Sequence, residues 1–586
     1  MNEANAAQEA AIKHRDGPAL VIAGPGSGKT FVITRRLDYL INNCHIKPSS
    51  ILTITYTNAA AKEMKKRAWN FLGNSAYGLN FGTFHSIFYS VLKNRFAMSA
   101  SNILKNSDKF IILSDIAVRI GLDTADMKGI AEELSSIISR NKNGMAARDG
   151  LSDTLREQLF TLYQDRLKEE RLLDFDDMIL KCLSLFRKEP ETLEKWRDLY
   201  RYIQIDEFQD INNSQYELIK ILAGDSGNIF AVGDDDQSIY GFRGASPGIM
   251  MRFLSDYPGA DQYELNINYR CKRGIAEASE SVIVMNTMRL AKHPEAFDKT
   301  GGRVNVAEFP DRMGEIKAIA SLIDPASFGS YAVLTRTNEL ASYFADGLCR
   351  KGIPVIASSK GRSLYDGDIG KDVISYIRLA LGAYERRDIL RVMNKPLRYL
   401  SREAFAGEKA RYEDALDFYK GRQGTFETAE RFVSDIKLMG RMRPKAFMMY
   451  LKNVIGYEEY LKKEGRRTEE LMLLCKEAER HGSLREWLDA VRTEEGQEGG
   501  EKNRAYTGNG VAVMTLHASK GLEFREVFIV DVNEGIIPYH RAKLKEELEE
   551  ERRLFYVGMT RAIDALHLFY IKDSFGKAMS PSVFLV

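Results

Sequence analysis

The segment Ala19-Leu-Val-Ile-Ala-Gly-Pro-Gly-Ser-Gly-Lys-Thr30 constrains this chain more than any other. Five apolar residues without polar alternation read as a strand buried on both faces, and such strands belong to parallel sheets covered by helices. Glycines follow at once at 24, 26 and 28, and a helix is expected from near Thr30. Lacking Cβ atoms, they let backbone N-H groups converge on an anion at a helix N-terminus, where the helix dipole favours negative charge. The turn of Ala23, Gly24, Pro25, Gly26, Ser27 and Gly28 would therefore cradle phosphates. Lys29 would reach the β and γ phosphates of a nucleotide such as ATP, and the Thr30 hydroxyl would bind Mg²⁺. Ala23 stands where the usual pattern has glycine, which departs from the literal match but leaves the mechanism intact.

A phosphate loop needs an acidic partner, because Mg²⁺ takes hard oxygen ligands and hydrolysis needs a positioned water. Tyr202-Ile-Gln-Ile-Asp-Glu-Phe-Gln-Asp210 supplies one: an alternating strand ends at Asp206, which can hold the metal, and Glu207, which can orient or deprotonate water. Alone, such a pair would read as a solvated strand end. Asn228 to Gly244 then carries three acids and Gln237 after another strand, followed by Tyr240, Phe242 and Arg243. Aromatics beside an arginine are what stacked bases require. Taken by itself, the segment fits equally well with Tyr240 and Phe242 as core.

At roughly 150 residues per domain, the 586 residues suggest about four folding units. Hydrophobic residues make up 44% and charged residues 28%, an ordinary globular composition that excludes wholesale disorder. Lys and Arg total 84 against 82 Asp and Glu, so any nucleic-acid site must be a local patch. Five dispersed cysteines without CxxC spacing encode neither a disulfide framework nor a metal cluster. The N-terminus has no apolar core like that of a signal peptide, and no run approaches the ~18 apolar residues of a spanning helix, so the chain reads as cytoplasmic, with no membrane partner.

Strand-length apolar runs alternate with helical stretches in two regions, the pattern of α/β folds with parallel sheets. The first sheet would use 19–23, 51–56, 80–83, 202–206 and 228–234; the second would use 304–307, 331–334, 353–356, 511–515, 527–532 and 566–571. Each is interrupted by a long tract of helical periodicity, read as an inserted helical domain. The expected organisation is a first sheet domain of 1–89 and 196–265 with insert 90–195, and a second of 266–380 and 508–586 with insert 381–507. Glu494 to Glu501, rich in glycine and like charge, reads as an exposed linker.

Further motifs complete a pattern that resembles the UvrD/Rep-type (PcrA-like) DNA helicases of superfamily one over nearly the whole chain. These are Asn5-Ala-Ala-Gln8, Thr55 to Met64, Gly82-Thr-Phe-His-Ser86, Asn268-Tyr-Arg270, Met514 to Phe524 and Glu550 to Ala562, in the family's order. The resemblance implies two RecA-like domains of the P-loop NTPase type, each with a helical insert. It implies that Gln8 reads the adenine edge, Tyr269 stacks on adenine, Glu523 lies near the ribose, and Arg270 and Arg561 contact the γ-phosphate. Lys29, Glu207, Gln237, Arg270 and Arg561 would form the catalytic set, with Thr30 and Asp206 on Mg²⁺. Tyr56, Thr57, Asn58, Thr83, Phe84, His85, Tyr240, Phe242, Arg243 and Phe575 would contact DNA. His517 reads as a structural hydrogen-bonder.

This sequence departs from the family at Phe31, usually Arg; at Phe242, usually Trp; and at Cys271, usually Ser. The second insert looks shorter than usual, and a partner-binding tail is expected to be missing after Val586. The implied activity is ATP-dependent 3′ to 5′ translocation and unwinding, acting on single-stranded and 3′-tailed duplex DNA, in repair or replication, with repair or nuclease proteins as possible partners. The alternative is an ATP-switched helicase-like subunit of a repair or defence complex. Glu207, Gln237, Arg270 and Arg561 favour the first, since a switch needs no water-activating acid or arginine finger. Stacking tolerates either sugar, so the residues alone leave RNA open.

Overall fold

The structure, a computed structural model, describes residues 4–96, 98–122, 127–144, 151–241, 244–245, 248–357, 364–365, 367–407, 410–464, 468–497, 510–574 and 576–585. Two six-stranded sheets form its frame. In the first, the strands lie in the order Asn80–Thr83, Ile51–Thr55, Tyr202–Ile205, Ile229–Gly233, Ala19–Ala23, Asp261–Leu265, every pair parallel. In the second the order is Val355–Ala357, Val511–Thr515, Tyr331–Thr335, Phe524–Ile529, Ala562–Ile571, Arg303–Phe309, again all parallel.

The central strands are apolar runs because both faces are covered; Ala19–Ala23, Ile51–Thr55, Ile229–Gly233 and Tyr331–Thr335 are buried at every residue. Asp261–Leu265 is a strand that the apolar pattern did not announce. It lies at the sheet's edge with only Leu265 buried, and an edge strand facing solvent needs no apolar run.

Helical tracts interrupt both sheets, and their apolar side chains divide among separate cores. Leu104, Ile112, Leu113, Ile116, Leu134, Ile138, Leu159 and Leu167 close a core of their own. Met178, Cys182 and Phe186 of helix Phe175–Lys188 instead pack with Phe84, Phe88 and Val91 of helix Phe84–Phe96 onto Leu20, Ile22, Leu52 and Ile54 of the first sheet. The tract 90–195 thus serves two cores. Ile369, Val373, Tyr376 and Ile377 of helix Asp368–Ala380 join the core of the helices around Phe432, Phe447 and Trp487. Among the described residues, no helix is long and apolar enough to cross a membrane.

Candidate nucleotide site and nucleic-acid track

Strand Ala19–Ala23 ends where Gly26 and Gly28 turn the chain at φ +66° and +87°, and helix Lys29–Asp38 starts immediately. The glycines are needed for contact as well as for backbone hand. A Cβ on Gly26 would meet Asn268 Oδ1 at 2.5 Å, and one on Gly28 would meet Gln8 Nε2 at 2.9 Å. The loop is thus pressed between the N-terminal helix and the Asn268-Tyr-Arg270 segment. Gln8 caps helix Ala6–Lys13 reciprocally with Asn5, and its Nε2 donates to Ser27 O at 2.9 Å. Asn5 Nδ2 donates to the Tyr269 hydroxyl at 2.9 Å, and Tyr269 N donates to Gly26 O at 3.0 Å. Lys29 Nζ lies 3.5 Å from Gly24 O, while Ser27 Oγ donates to the same carbonyl at 2.8 Å. Phe31, one residue after Thr30, lies under the Arg35 guanidinium at 5.3 Å.

The acidic side of the site stands at the end of strand Tyr202–Ile205. Asp206 is buried, and among the described residues its Oδ1 has no hydrogen-bond partner. Burial, with Glu207 adding and Lys29 and Lys520 opposing, pushes its carboxyl up to about 7. A buried, unsatisfied carboxylate oxygen and a threonine hydroxyl are the hard donors that Mg²⁺ takes, so Asp206 and Thr30 fit that ion. Glu207 sits in the left-handed region at φ +54°, a backbone that costs a non-glycine residue on the order of 1–3 kcal/mol and is held by its surroundings. Burial alone would raise its carboxyl, but Lys520, Lys29 and a hydrogen bond from Gln209 prevail and lower it.

The second sheet supplies the cations. Arg561, 1% exposed, follows helix Lys545–Met559; its Nε donates to Val557 O at 2.8 Å and its Nη2 to Gln237 Oε1 at 3.3 Å. Burial, and then Arg270 beside it, pulls its guanidinium down to about 9. Arg270 Nε donates to the exposed Glu523 at 2.8 Å. Lys520 reaches furthest across: its Nζ pairs with Asp210, lies 3.4 Å from Glu207 Oε2 and donates to Gln237 O at 2.8 Å. Lys29, Asp206, Glu207 and Gln237 are thus brought together with Lys520 and Arg561. The acids of Asp234-Asp-Asp236 surround Lys292, which lies among all three, and Lys29 of the phosphate loop helps to hold the Asp234 carboxyl low. Buried carboxylates need a cation, and Lys292 brings it from the second half of the chain.

The candidate track is narrower than expected. The Tyr56 and Tyr240 rings stack at 4.7 Å and 15°, and Lys520 Nζ lies 5.3 Å from the centroid of Tyr240. Thr57 and Asn58 are exposed at the start of helix Asn58–Leu72, which Thr57 caps through Ala60 N. Thr83 accepts from Ser86 N at 3.2 Å, and His85 packs edge-on against Phe175 at 4.8 Å, its imidazole held low by burial. Phe84 is a correction: it is 5% exposed in the core with Leu52, Ile54 and Phe88, because the helix that it opens turns that face onto the sheet. Phe242, Arg243 and Phe575 lie outside the described residues. The sequence motifs assigned no role to Gln209, Asn268 or Lys520, although all three lie within them, and Lys292 lies outside every one.

Residues 4–258 match the UvrD/REP helicase N-terminal domain, and residues 263–441 and 442–573 match the UvrD-like helicase C-terminal domain. The chain is 30% identical to the ATP-dependent DNA helicase PcrA of Staphylococcus aureus strain Mu50, over 100% of this chain and 86% of that protein. It is also 30% identical to the PcrA proteins of Bacillus subtilis strain 168 and Staphylococcus epidermidis RP62A. Those matches cover 96% and 99% of this chain and 82% and 86% of the relatives, respectively. With two RecA-like parallel sheets, a phosphate loop on the first and arginines from the second beside it, the chain belongs to the UvrD/Rep-type family of superfamily one DNA helicases.

Proposed function

We propose that the protein hydrolyses ATP to move 3′ to 5′ along single-stranded DNA and to unwind 3′-tailed duplex, acting in the cytoplasm in DNA repair or replication. The PcrA relatives carry the name of ATP-dependent DNA helicases, which supports the reading. The observation that carries it is Gln237: its Oε1 accepts from Arg561, just before a strand of the second sheet, and its carbonyl accepts from Lys520, whose Nζ lies 3.4 Å from Glu207. A hydrolytic acid and a finger arginine meeting across two domains is what γ-phosphate-dependent closure requires.

In this reading Gln8 and Tyr269 hold the adenine, Glu523 lies by the ribose, and Ala23 to Gly28 wrap the phosphates. Lys29 draws charge from the β and γ phosphates. Mg²⁺ held by Thr30 and Asp206 would neutralise charge on those same oxygens. Glu207 takes a proton from the attacking water, and Arg270 and Arg561 stabilise charge on the transferring phosphoryl group. Gln237 responds to loss of the γ-phosphate and passes the change towards Tyr240, Tyr56 and the strand stacked on them, with Thr57, Asn58, Thr83 and His85 on the backbone. Repair or nuclease proteins would be the partners.

The test is ATP turnover with and without single-stranded DNA, beside displacement of 3′-tailed and 5′-tailed duplexes. Turnover indifferent to DNA would sink the translocase reading, and displacement of 5′-tailed duplex alone would reverse the polarity.

A further inference from the structure

Gln209 is completely buried, yet it belongs to neither sheet and contacts no residue of the phosphate loop by hydrogen bonding. Its amide is used at both ends. Nε2 donates to Glu207 Oε2, and Oε1 accepts from Asp234 N at 2.9 Å. The contact depends on Gly233, where a Cβ would stand 2.8 Å from Gln209 Oε1. Asp234 continues the chain: its Oδ2 accepts from Gln237 Nε2, and its Oδ1 accepts from Lys292.

Lys292 belongs to the second half of the molecule. The backbone just before it is fastened to helix Lys545–Met559, with Thr287 N donating to Glu549 Oε1 at 3.0 Å and Arg553 Nη2 to Met288 O at 2.9 Å. From there Lys292 Nζ enters the turn Asp234-Asp-Asp236, 2.7 Å from Asp235 and 2.9 Å from Asp236. Leu290 N adds a hydrogen bond to Asp235 Oδ2 at 2.7 Å. The three carboxylates lie within 4.8 Å of one another, a spacing that could hold a metal ion, and a single ammonium takes that place. Arg289 takes Asp236 through Nε at 3.2 Å and Nη2 at 2.8 Å, so the carboxylate oxygens of all three acids are committed, which fixes the rotamers of Asp234 and of the Gln237 that it holds.

We propose that Gln209 and Lys292 are positioning residues for ATP hydrolysis, acting in series: Lys292 of the second RecA-like unit sets the Asp234 turn that presents Gln237, and Gln209 transmits the setting of that turn to the Glu207 carboxylate. The relay rests on the hydrolytic roles proposed above for Glu207 and Gln237. It adds that the orientation of Glu207 is controlled from the opposite unit through polar contacts that never touch nucleotide. Misplacing a reacting group by about 1 Å can cost about 100-fold in rate, so a relay of this kind acts on turnover and leaves binding alone.

The experiment compares Gln209→Met, Lys292→Arg and the double variant of the full chain. Methionine keeps the volume of Gln209 without its donor and acceptor, and arginine keeps the charge of Lys292 without a compact ammonium. Glu207→Gln is measured beside them. The expected result is a folded protein whose melting temperature falls only by the few degrees that one unpaired buried polar group costs, an ATP KM within about threefold of parental, and DNA-stimulated kcat lower by about tenfold or more in each single variant at a temperature well below melting. The double variant should lie within about threefold of the slower single, because groups in series fail together. Parental kcat in Gln209→Met or in Lys292→Arg, or losses that multiply in the double variant, overturns the relay. If Glu207→Gln itself turns over at the parental rate, the reading beneath the relay falls and takes the relay with it; loss in Glu207→Gln with parental Gln209→Met removes the relay alone.

Discussion

Arg561 donates through Nη2 to Gln237 Oε1 at 3.3 Å, which joins the segment before strand Ala562–Ile571 of the second sheet to the turn after strand Ile229–Gly233 of the first. The guanidinium is buried and held at about 9, so it retains its charge at neutral pH while being poorly solvated, and a nearby phosphoryl group would gain strongly from it. Arg561→Ala should therefore slow DNA-stimulated hydrolysis by about 10³ to 10⁵, the range for finger arginines, while single-strand binding without nucleotide persists. Arg270→Ala should act in the same direction. Steady-state turnover and fluorescence anisotropy check the pair, and near-parental turnover in both would mean that the two sheets do not share one nucleotide.

Lys29 and Glu207 should separate binding from chemistry. Lys29→Ala removes the charge that meets the β and γ phosphates, so both nucleotide affinity and hydrolysis should fall. Glu207→Gln should keep nucleotide affinity within about threefold and lose turnover by about 100-fold or more, as loss of a general base implies. Equilibrium binding of a non-hydrolysable analogue, beside turnover, distinguishes the two; parental hydrolysis in Glu207→Gln would remove its assignment as base.

The frame and the phosphate loop were legible because their signals are local and repeated. An uninterrupted apolar run such as Ile229–Gly233 can only be covered on both faces, and the glycines at 26 and 28, both at positive φ, announce a turn that other residues rarely make. Asp261–Leu265 escaped because an edge strand is released from that rule. Gln209 and Lys292 escaped for a different reason: Gln209 joins two turns of the first sheet, Lys292 meets Asp235 57 positions away through the docking of the two sheets, and no periodicity marks a single polar residue in a turn. Phe84 was read as a DNA contact from its place in a resembled motif. Its neighbours at Ile87, Phe88 and Val91 are spaced as one helix face, and that face lies on the sheet.

Glu470 ties helix Glu469–Ala478 to helix Asp368–Ala380 by accepting Gly370 N at 3.1 Å, and burial pushes its carboxyl up to about 7. A carboxyl whose folded value lies above its unfolded one holds a proton in the native state that the unfolded chain releases. It therefore costs stability as pH rises from about 4.5 to about 7, and the cost is complete above that range. Glu470→Gln keeps the acceptor and cannot ionise. Urea unfolding should show the variant more stable than the parent by about 1–2 kcal/mol at pH 8, once partial exposure is allowed for, and equal at pH 4. A constant difference across that range would assign the effect to packing.

The stacked pair of Tyr56 and Tyr240 is the part of the candidate track with the clearest geometry, at 4.7 Å and 15°. Both rings are half-buried, and Lys520 lies over Tyr240 while it also pairs with Asp210 and approaches Glu207. One side of the pair is thus joined to the hydrolytic acid. If a base stacks on these rings, Tyr240→Ala should cost about 1–3 kcal/mol of single-strand affinity. The same change should weaken stimulation of ATP turnover by DNA more than turnover without it, because the Lys520 contact is lost with the ring. Tyr56→Ala should lower affinity to a similar degree with a smaller effect on stimulation, since Lys520 remains over Tyr240. If the rings instead serve only packing, both variants would lower the melting temperature through a cavity and leave DNA affinity as it was. Thermal unfolding beside single-strand binding and turnover decides the matter. A stable Tyr240→Ala protein that binds DNA weakly and has lost most of its stimulation is the expected outcome, and unchanged affinity with a depressed melting point would return Tyr240 to the core.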